Sequence, residues 1–446
     1  MILVLCVPFL IGSRLPLHAA PRGSAIKFAV DWWKGAFIAG FSVILANSLG
    51  CSFAGASLTV AALSLFGLVR LAIQCRYGVT GPNEEKNEGG CRTIWCVCGG
   101  MICLITVLLQ VEVLAHPLSS YDALAFWYPK VQALSHDVDF MKIPRRDYPD
   151  LGPALWALTS LTSASDDTRT GRLFIPVGFA MFLLAMCAFA LENCPRDLRA
   201  LPLALCPVAV SLSLLRVEFF TNGYMDGFLM SAFGIACLCV IRGLRGEYCR
   251  DSNLILAACF SGGLGLIKNE GAVLGVILMS GLLMALLLRK RFGGVQDLKV
   301  PFLIASAFVT SFVFFPCLKV VHGSAALRVQ EDSFTVDGVL RISDRIDRLP
   351  RIFWYVSWHV RKYRWTILNG FVMVLFGARM SLSWRPTLAM VTTIYILQLA
   401  FVIVAFLSTN EPLEWHLSCA FERLAYQGNS ILILMSTVGL RAVLRG

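Results

Sequence analysis

This chain has few charged residues. Only 15% of its 446 residues are Asp, Glu, Lys or Arg, whereas a soluble globular domain carries roughly 25%. Hydrophobic residues make up 57% of the chain, and residues 299–446 are as apolar as residues 1–298. We therefore expect residues 1–446 to form a single transmembrane domain, with no separate soluble domain appended to it.

Signals of several other classes are also missing. None of the sixteen cysteines has the spacing of a zinc site, and most lie in apolar runs, where cysteine acts as a small hydrophobe. No internal repeat is visible, which argues against a transporter built from inverted repeats. The net charge of +11 would favour nucleic acid in a soluble protein. Here most of the basic residues lie in short loops beside apolar runs, so no nucleic-acid partner is expected.

Long apolar runs are abundant, and a spanning helix needs roughly 20 such residues. They predict an all-α polytopic membrane protein with about twelve transmembrane helices. The apolar stretch 1–12 is short and is interpreted as an interfacial or partial span. The predicted spans are 34–48, 53–73, 94–114, 173–191, 200–216, 223–241, 253–267, 271–288, 300–320, 366–380, 386–408 and 428–444.

The short loops alternate between rich and poor in Lys and Arg, which sets an orientation by the positive-inside rule. With that orientation, three longer segments face outward: 115–171, 321–365 and 409–427. Interfacial helices are expected within them. The pairs of runs within 34–73 and 253–288 are short enough to be helical hairpins or re-entrant segments.

The first outward segment carries an acidic residue among aromatic ones. Asp122 opens the amphipathic stretch DALAFWYPKVQAL, which Pro129 breaks or starts. Asp122 is either a helix N-cap, a position that Asp favours, or a functional carboxylate at the lipid–water boundary. Further along, Asp147, Tyr148 and Asp150 form either a solvated turn before a second interfacial helix or a second set of polar groups at the same site.

Other polar residues interrupt apolar runs near the predicted outer boundary. Asp226 lies at the outer end of a span, where an ionisable group is costly and usually faces a cavity or a partner. Lys268, Asn269 and Glu270 lie together inside a long apolar stretch. The Lys and Glu either neutralise each other at a hairpin turn or line a polar site.

The two later outward segments combine basic and aromatic residues. Segment 321–365 holds Arg345 among other arginines, with interleaved tryptophans that suit an interfacial helix. Its arginines suit phosphate, either of bulk lipid or of a bound lipid-linked donor. In segment 409–427, His416 and Arg423 are seven residues apart, so they would share one face of a helix.

The strings YDALAFWYPKVQAL, DYPDLGPALWALTS, GYMDGFLMSAF, IKNEG and EWHLSCAFERLAYQ resemble the GT-C superfamily of membrane glycosyltransferases, which includes aminoarabinose and protein O-mannosyl transferases. They extend from about residue 115 to 427. Many members carry two adjacent acidic residues in the first loop, whereas Asp122 is followed by Ala123. The resemblance implies a GT-C-like fold in a bacterial inner membrane, with the active site facing outward.

The resemblance also implies a reaction. A sugar would pass from a polyprenyl-phosphate donor to an unknown glycan, lipid or protein acceptor, with inversion and with Asp122 as general base. Lys268, Arg345, Arg423 and, less favoured, Lys130 would bind the donor phosphate, while Glu270 and Asp147 would position the acceptor or Lys268. No cofactor is predicted, and a divalent metal is left open. Two rivals remain: a flippase of lipid-linked sugars, and a polysaccharide polymerase or ligase.

Overall fold

Helices form all the regular structure in the part of the chain that the structure describes. A computed structural model describes residues 25–76, 89–138, 148–161, 168–192, 200–246, 250–291 and 341–445, together with positions 8, 12, 302, 305–310 and 312–313. We number the helices in chain order: α1 Ala25–Ser48, α2 Phe53–Arg76, α3 Gly89–Ala115, α4 Tyr128–Ser135, α5 Leu151–Ser160, α6 Phe174–Leu191, α7 Leu201–Leu214, α8 Asp226–Arg245, α9 Arg250–Ile267, α10 Asn269–Arg291, α11 Leu349–Lys362, α12 Arg364–Met380, α13 Arg385–Ser408, α14 Leu413–Gln427 and α15 Asn429–Arg445.

Shorter helical turns join several of these helices. A π-helical turn, Ala123–Trp127, leads into α4, and a 3-10 turn, Thr170–Leu173, leads into α6. A single turn, Glu218–Thr221, precedes α8, and 3-10 turns at Ile342–Arg348 and Leu382–Trp384 precede α11 and α13.

Many of the helices are apolar over a length that matches a bilayer. Within the described residues, seven helical stretches are long and apolar enough to cross a membrane: Ala25–Ser48, Thr93–Ala115, Thr170–Leu191, Asp226–Arg245, Asn269–Leu287, Leu382–Ser408 and Leu413–Leu444. Two shorter helices, Phe53–Leu65 and Leu201–Leu214, are also apolar. The chain is therefore a membrane-embedded, all-α protein, as the composition predicts.

The predicted runs fall on these helices, with instructive differences at their ends. The run 300–320 lies largely outside the described residues, and every other run coincides with one helix. α1 begins at Ala25, nine residues before the predicted run, because Asp31 pairs with both Lys27 and Lys34. Neutralisation of these charges lets the helix continue through a polar stretch and bury Asp31 and Lys34.

The helices group into two compact units. Unit 1 comprises 1–145, 150–208 and 220–228, and unit 2 comprises 146–149, 209–219 and 229–446. In unit 1, α1 packs against α2, α5 and α6, while α3 packs against α6. The two helices predicted to lie at the membrane interface, α4 and α5, form as helices and pack against each other.

α5, which the sequence predicts as an interfacial helix, is buried within unit 1. All its residues from Leu151 to Thr159 are buried inside unit 1, and Leu151 contacts α1 at Gly40. The sequence LGPALWALTS has no polar face, and a helix that is apolar all round belongs in a protein interior.

Unit 2 confirms the predicted helical hairpin over 253–288. α9 and α10 are separated by one residue, Lys268, and run antiparallel. Glycines bring their backbones together: a Cβ on Gly271 would lie 2.1 Å from the carbonyl oxygen of Leu264, and one on Gly275 would lie 2.2 Å from that of Ser261. Small residues permit this close approach between membrane helices.

Candidate functional site

The carboxylate of Asp122 lies in the first turn of a helix that another residue caps. Ser120 Oγ accepts a hydrogen bond from the backbone N–H of Ala123 at 3.4 Å, and its carbonyl accepts one from Leu124 at 3.0 Å. Ser120 is thus the N-cap. Asp122 has helical backbone angles, makes no capping bond through its side chain and is half-buried. The capping interpretation of Asp122 is therefore wrong.

The helix that begins at Ser120 widens before it continues as α4. The N–H of Tyr128 bonds to the carbonyl of Ala123, which defines the π turn. Pro129 follows directly. In a regular α-helix its ring would clash with the carbonyl four residues earlier, and the wider turn relieves that clash. Trp127 is fully buried and fixes this turn within unit 1.

A buried ion pair fastens α4 to the start of α5. The ammonium of Lys130 bonds to the carboxylate of Asp150, and the side chains are 0% and 4% exposed. Because both charges are shielded from water, each needs the other to offset its desolvation cost. Lys130 was the less favoured candidate for binding donor phosphate, and the structure gives it this internal partner.

A buried arginine that was not predicted as a site residue ties the C-terminal end of α3 to its neighbours. Arg172 is fully buried. It donates to the carbonyl oxygens of Val113 at 3.1 Å and His116 at 2.8 Å, which belong to the last turn of α3 and the residue after it. It also donates to the carbonyl oxygens of Thr168 and Thr221. The guanidinium satisfies carbonyls left over at a helix end, where a positive charge is also favourable.

The turn before α8 comes close to the helix of Asp122. Gly223 has φ +78°, and a Cβ there would lie 2.8 Å from Leu118 and 2.9 Å from the Cβ of Ala123. Only glycine suits that backbone and that contact. Asp226 follows as the first residue of α8 and is fully buried. Unit 1 therefore holds Asp122 on a helix that is capped, pinned by an ion pair and packed against a tight turn.

In unit 2, Lys268 and Glu270 are neighbours at the α9–α10 turn. Their Nζ and Oε1 atoms are 3.4 Å apart, Lys268 is buried, and Asn269 between them is exposed. This geometry favours the structural alternative, in which the two charges neutralise each other at a hairpin. The second carboxylate oxygen of Glu270 is buried without a hydrogen bond.

Arg345 and His416 both bond to Thr409, the residue that follows α13. Arg345 donates to the carbonyls of Ser408 at 2.8 Å and Thr409 at 2.6 Å, and to Asn410 Oδ1 at 2.7 Å. His416 Nδ1 lies 2.8 Å from Thr409 Oγ1. Arg345 thus caps a helix C-terminus, a structural role for a residue expected to bind phosphate.

For the remaining predicted residues, the structure gives a position on the chain and a degree of burial. His416 and half-buried Arg423 both lie on α14, seven residues apart, so the expected shared face is present. Tyr148 is half-buried. Asp147 lies outside the described residues.

Unit 2 also contains a cluster of four charged side chains that was not predicted from the sequence. Glu422 on α14 accepts from both Arg216 and Lys362, and Arg216 also pairs with Glu218 at 2.6 Å. The four side chains are 25–37% exposed, so each pair is worth little by itself. Arg216 precedes Glu218 by only two residues, but its link to α14 joins positions far apart in the chain.

No metal centre is formed by the described residues, among which no group of three or more His, Cys, Asp or Glu side chains is placed to hold an ion. Comparison of the chain with protein-family models, with curated proteins and with solved structures finds no match in any of the three. The family resemblance of the strings quoted above therefore stays a hypothesis.

Proposed function

We propose that this protein is a polytopic glycosyltransferase of the GT-C type, with about twelve spans. In this proposal it transfers a sugar from a polyprenyl-phosphate donor to an acceptor at the outer face of a bacterial inner membrane. The observation that carries the proposal is the placement of Asp122: a half-buried carboxylate in the first turn of a helical segment that is capped by Ser120 and that also carries Lys130 of the buried Lys130–Asp150 pair.

A general base needs this kind of support. Proton abstraction is efficient only when the carboxylate is held in hydrogen-bonding reach of the acceptor, and small displacements cost large factors in rate. The Arg172 contacts to the end of α3 and the Gly223 contact fix the segment that carries Asp122. A carboxylate used only to cap a helix would need none of this.

The proposed step conserves atoms and charge. The acceptor oxygen or nitrogen attacks the anomeric carbon as its proton passes to Asp122. The bond between that carbon and the phosphate oxygen breaks, and the electron pair stays on the phosphate, which leaves on the opposite face of the sugar. The product is the glycosylated acceptor with inverted configuration, together with the lipid phosphate.

The phosphate leaving group needs charge stabilisation rather than protonation. Of the basic residues expected to provide it, Lys268 contacts Glu270 and Arg345 caps α13.

The test is transfer of labelled sugar in membranes that contain the protein, from a panel of polyprenyl-phosphate sugars. Wild type should form a labelled product, and Asp122→Asn should reduce the rate by at least about 100-fold, the usual contribution of a general base. Asp137→Asn is a matched control, because Asp137 also lies in the first outward segment but bonds the backbone N–H of Phe53 at the start of α2. Equal activity of wild type and Asp122→Asn would refute the assignment of the base.

One observation favours the flippase alternative. α14 and α15 lie within one apolar stretch, Leu413–Leu444, that is interrupted at Gly428. Gln398 of α13 enters this break and donates to the carbonyl of Leu424 at 2.9 Å, while both amide atoms of Asn429 are buried without a hydrogen bond. Broken helices with buried polar groups are typical of transporters. Movement of intact donor across the bilayer without transfer would support this alternative.

A further inference from the structure

Aromatic side chains crowd the outer face of α11 and the start of α12. Phe353, Trp354 and Trp358 are 49%, 53% and 43% exposed, and Trp365 is 71% exposed. The opposite face of α11 packs into unit 2, where Ile352 and His359 are buried and the ring of Tyr355 lies 5.6 Å from that of Phe421. α11 is therefore an amphipathic helix that is anchored by one face and exposes aromatic side chains on the other.

The neighbouring helix α12 shows what lies against this surface. Its exposed residues Leu368, Leu375, Phe376 and Met380 form an apolar stripe that begins at Trp365. The 17 residues of α12 rise about 26 Å, close to the roughly 30 Å of the hydrocarbon core. Lipid chains are the apolar medium that can cover a stripe of this length, so Trp365 marks one edge of the hydrocarbon. α11 ends three residues before Trp365 and thus lies at the depth of the headgroups.

The charge on this segment is strongly positive. Between residues 341 and 364 the chain has seven Arg or Lys and two Asp. Four of the basic side chains have partners: Arg345 and Arg348 bond the end of α13, and Arg351 and Lys362 pair with Glu414 and Glu422.

The exposed Arg361 and Arg364 have no carboxylate partner among the described residues. Arg361 is three residues from Trp358 and so lies beside it on the helix. The guanidinium of Arg364 is 5.4 Å from the ring of Trp365. Arg364 thus contacts a tryptophan at the hydrocarbon edge, and Arg361 lies about one helical turn from another. The ligand of opposite charge at this depth is a lipid phosphate.

We propose that the exposed face of α11 and the start of α12 form a binding site for anionic phospholipid. Arg361 and Arg364 bind the headgroup phosphate, and Trp358 and Trp365 contact the upper part of the lipid chains. The continuity of this surface with the lipid-facing stripe of α12 argues for a membrane lipid as its occupant rather than a soluble protein. The site would anchor unit 2 in the headgroup layer whether or not the protein transfers sugar.

The experiment measures binding of fluorescent phosphatidylglycerol to the full-length protein in phosphatidylcholine nanodiscs. Each basic residue near an anionic membrane surface contributes about 1 kcal/mol, or about fivefold in affinity. We expect Arg361→Gln to weaken binding about fivefold, and Arg361→Gln with Arg364→Gln to weaken it about thirtyfold. Arg379→Gln is the matched control, since Arg379 is an exposed arginine in the last turn of α12, and it should leave this binding unchanged.

Three results would overturn the proposal. Unchanged affinity in the double variant would show that these arginines bind no headgroup. An equal loss in Arg379→Gln would show a general charge effect. Stronger displacement of the label by polyprenyl phosphate than by unlabelled phosphatidylglycerol would show that the site takes the lipid carrier of a donor instead. Because the readout is lipid binding and needs no transfer, failure of the glycosyltransferase proposal leaves this test intact.

Discussion

Removal of the Lys130 charge should destabilise unit 1 severely, because it leaves the buried carboxylate of Asp150 without its counter-charge. Asp150 is 3% exposed and bonds the Lys130 ammonium. Loss of one partner from a buried ion pair costs about 3–5 kcal/mol, whereas replacement of both partners by apolar residues is often neutral. Lys130→Met should therefore cost about 3–5 kcal/mol, and Lys130→Met with Asp150→Leu should recover most of that loss.

The assay is thermal inactivation of the solubilised protein, followed by fluorescence-detected size exclusion after heating. For a unit of about 200 residues, 1 kcal/mol shifts Tm by about 2–4 °C, so Lys130→Met should melt at least about 6 °C below wild type. Lys362→Met is the matched control. Its ion pair with Glu422 is about a quarter exposed, and its loss should cost no more than about 1 kcal/mol.

Two outcomes would refute this reasoning. If Lys130→Met melts with wild type, the pair does not hold α4 to α5. If the losses from the two single substitutions add in the double variant, each residue acts through other contacts. A double variant that keeps its stability but loses donor binding would instead restore Lys130 as a phosphate ligand.

Three further predictions concern other parts of the structure. Arg172→Lys should destabilise by roughly 2–4 kcal/mol, since a single ammonium cannot reach the several carbonyls that the guanidinium bonds, and equal melting temperatures would contradict this. Gly223→Ala should destabilise the protein more than Gly246→Ala. Both glycines have positive φ (+78° and +68°), but only a Cβ at position 223 has neighbours within 4 Å. A similar loss of stability in both variants would mean that backbone strain, about 1–2 kcal/mol, is the whole effect and that the contacts at position 223 contribute nothing. Burial, with a contribution from Lys362, lowers the pKa of His359 to about 4. As the pH is lowered, the unfolded chain therefore binds this proton before the folded chain does. The free energy of unfolding should fall by at most about 3 kcal/mol as the pH is lowered from about 6.5 to about 4. In the same acid series His359→Phe should flatten that part of the stability curve, and an unchanged slope would be the contrary result.

The positions of the helices could be predicted from the sequence because apolar runs of spanning length have few alternatives in a membrane. The start of α1 could not, since it depends on Asp31 neutralising two lysines on the same helix. The burial of α5 could be predicted, because LGPALWALTS has no polar face.

The candidate site was predictable only in part. Asp122 stands out in the sequence because its neighbours are aromatic. That Ser120 and not Asp122 caps the helix could not be predicted, since Ser and Asp are both good N-caps. Arg172 escaped notice because its partners, the carbonyls of Val113, His116 and Thr221, are backbone groups far away in the chain. No local pattern encodes such contacts, and the same holds for the use of Arg345 at the end of α13.

The central claim is that a glycosidic bond is made and the bond from sugar to phosphate is broken. Its most direct test places the purified protein in proteoliposomes with a polyprenyl-phosphate sugar labelled in both the sugar and the lipid, and an extract that supplies acceptors. We expect free polyprenyl phosphate and a new labelled glycoside to appear in equal amounts, and Asp122→Asn to stop both. If the donor instead crosses the bilayer with its two labels still joined, the protein moves lipid-linked sugar and is not a glycosyltransferase.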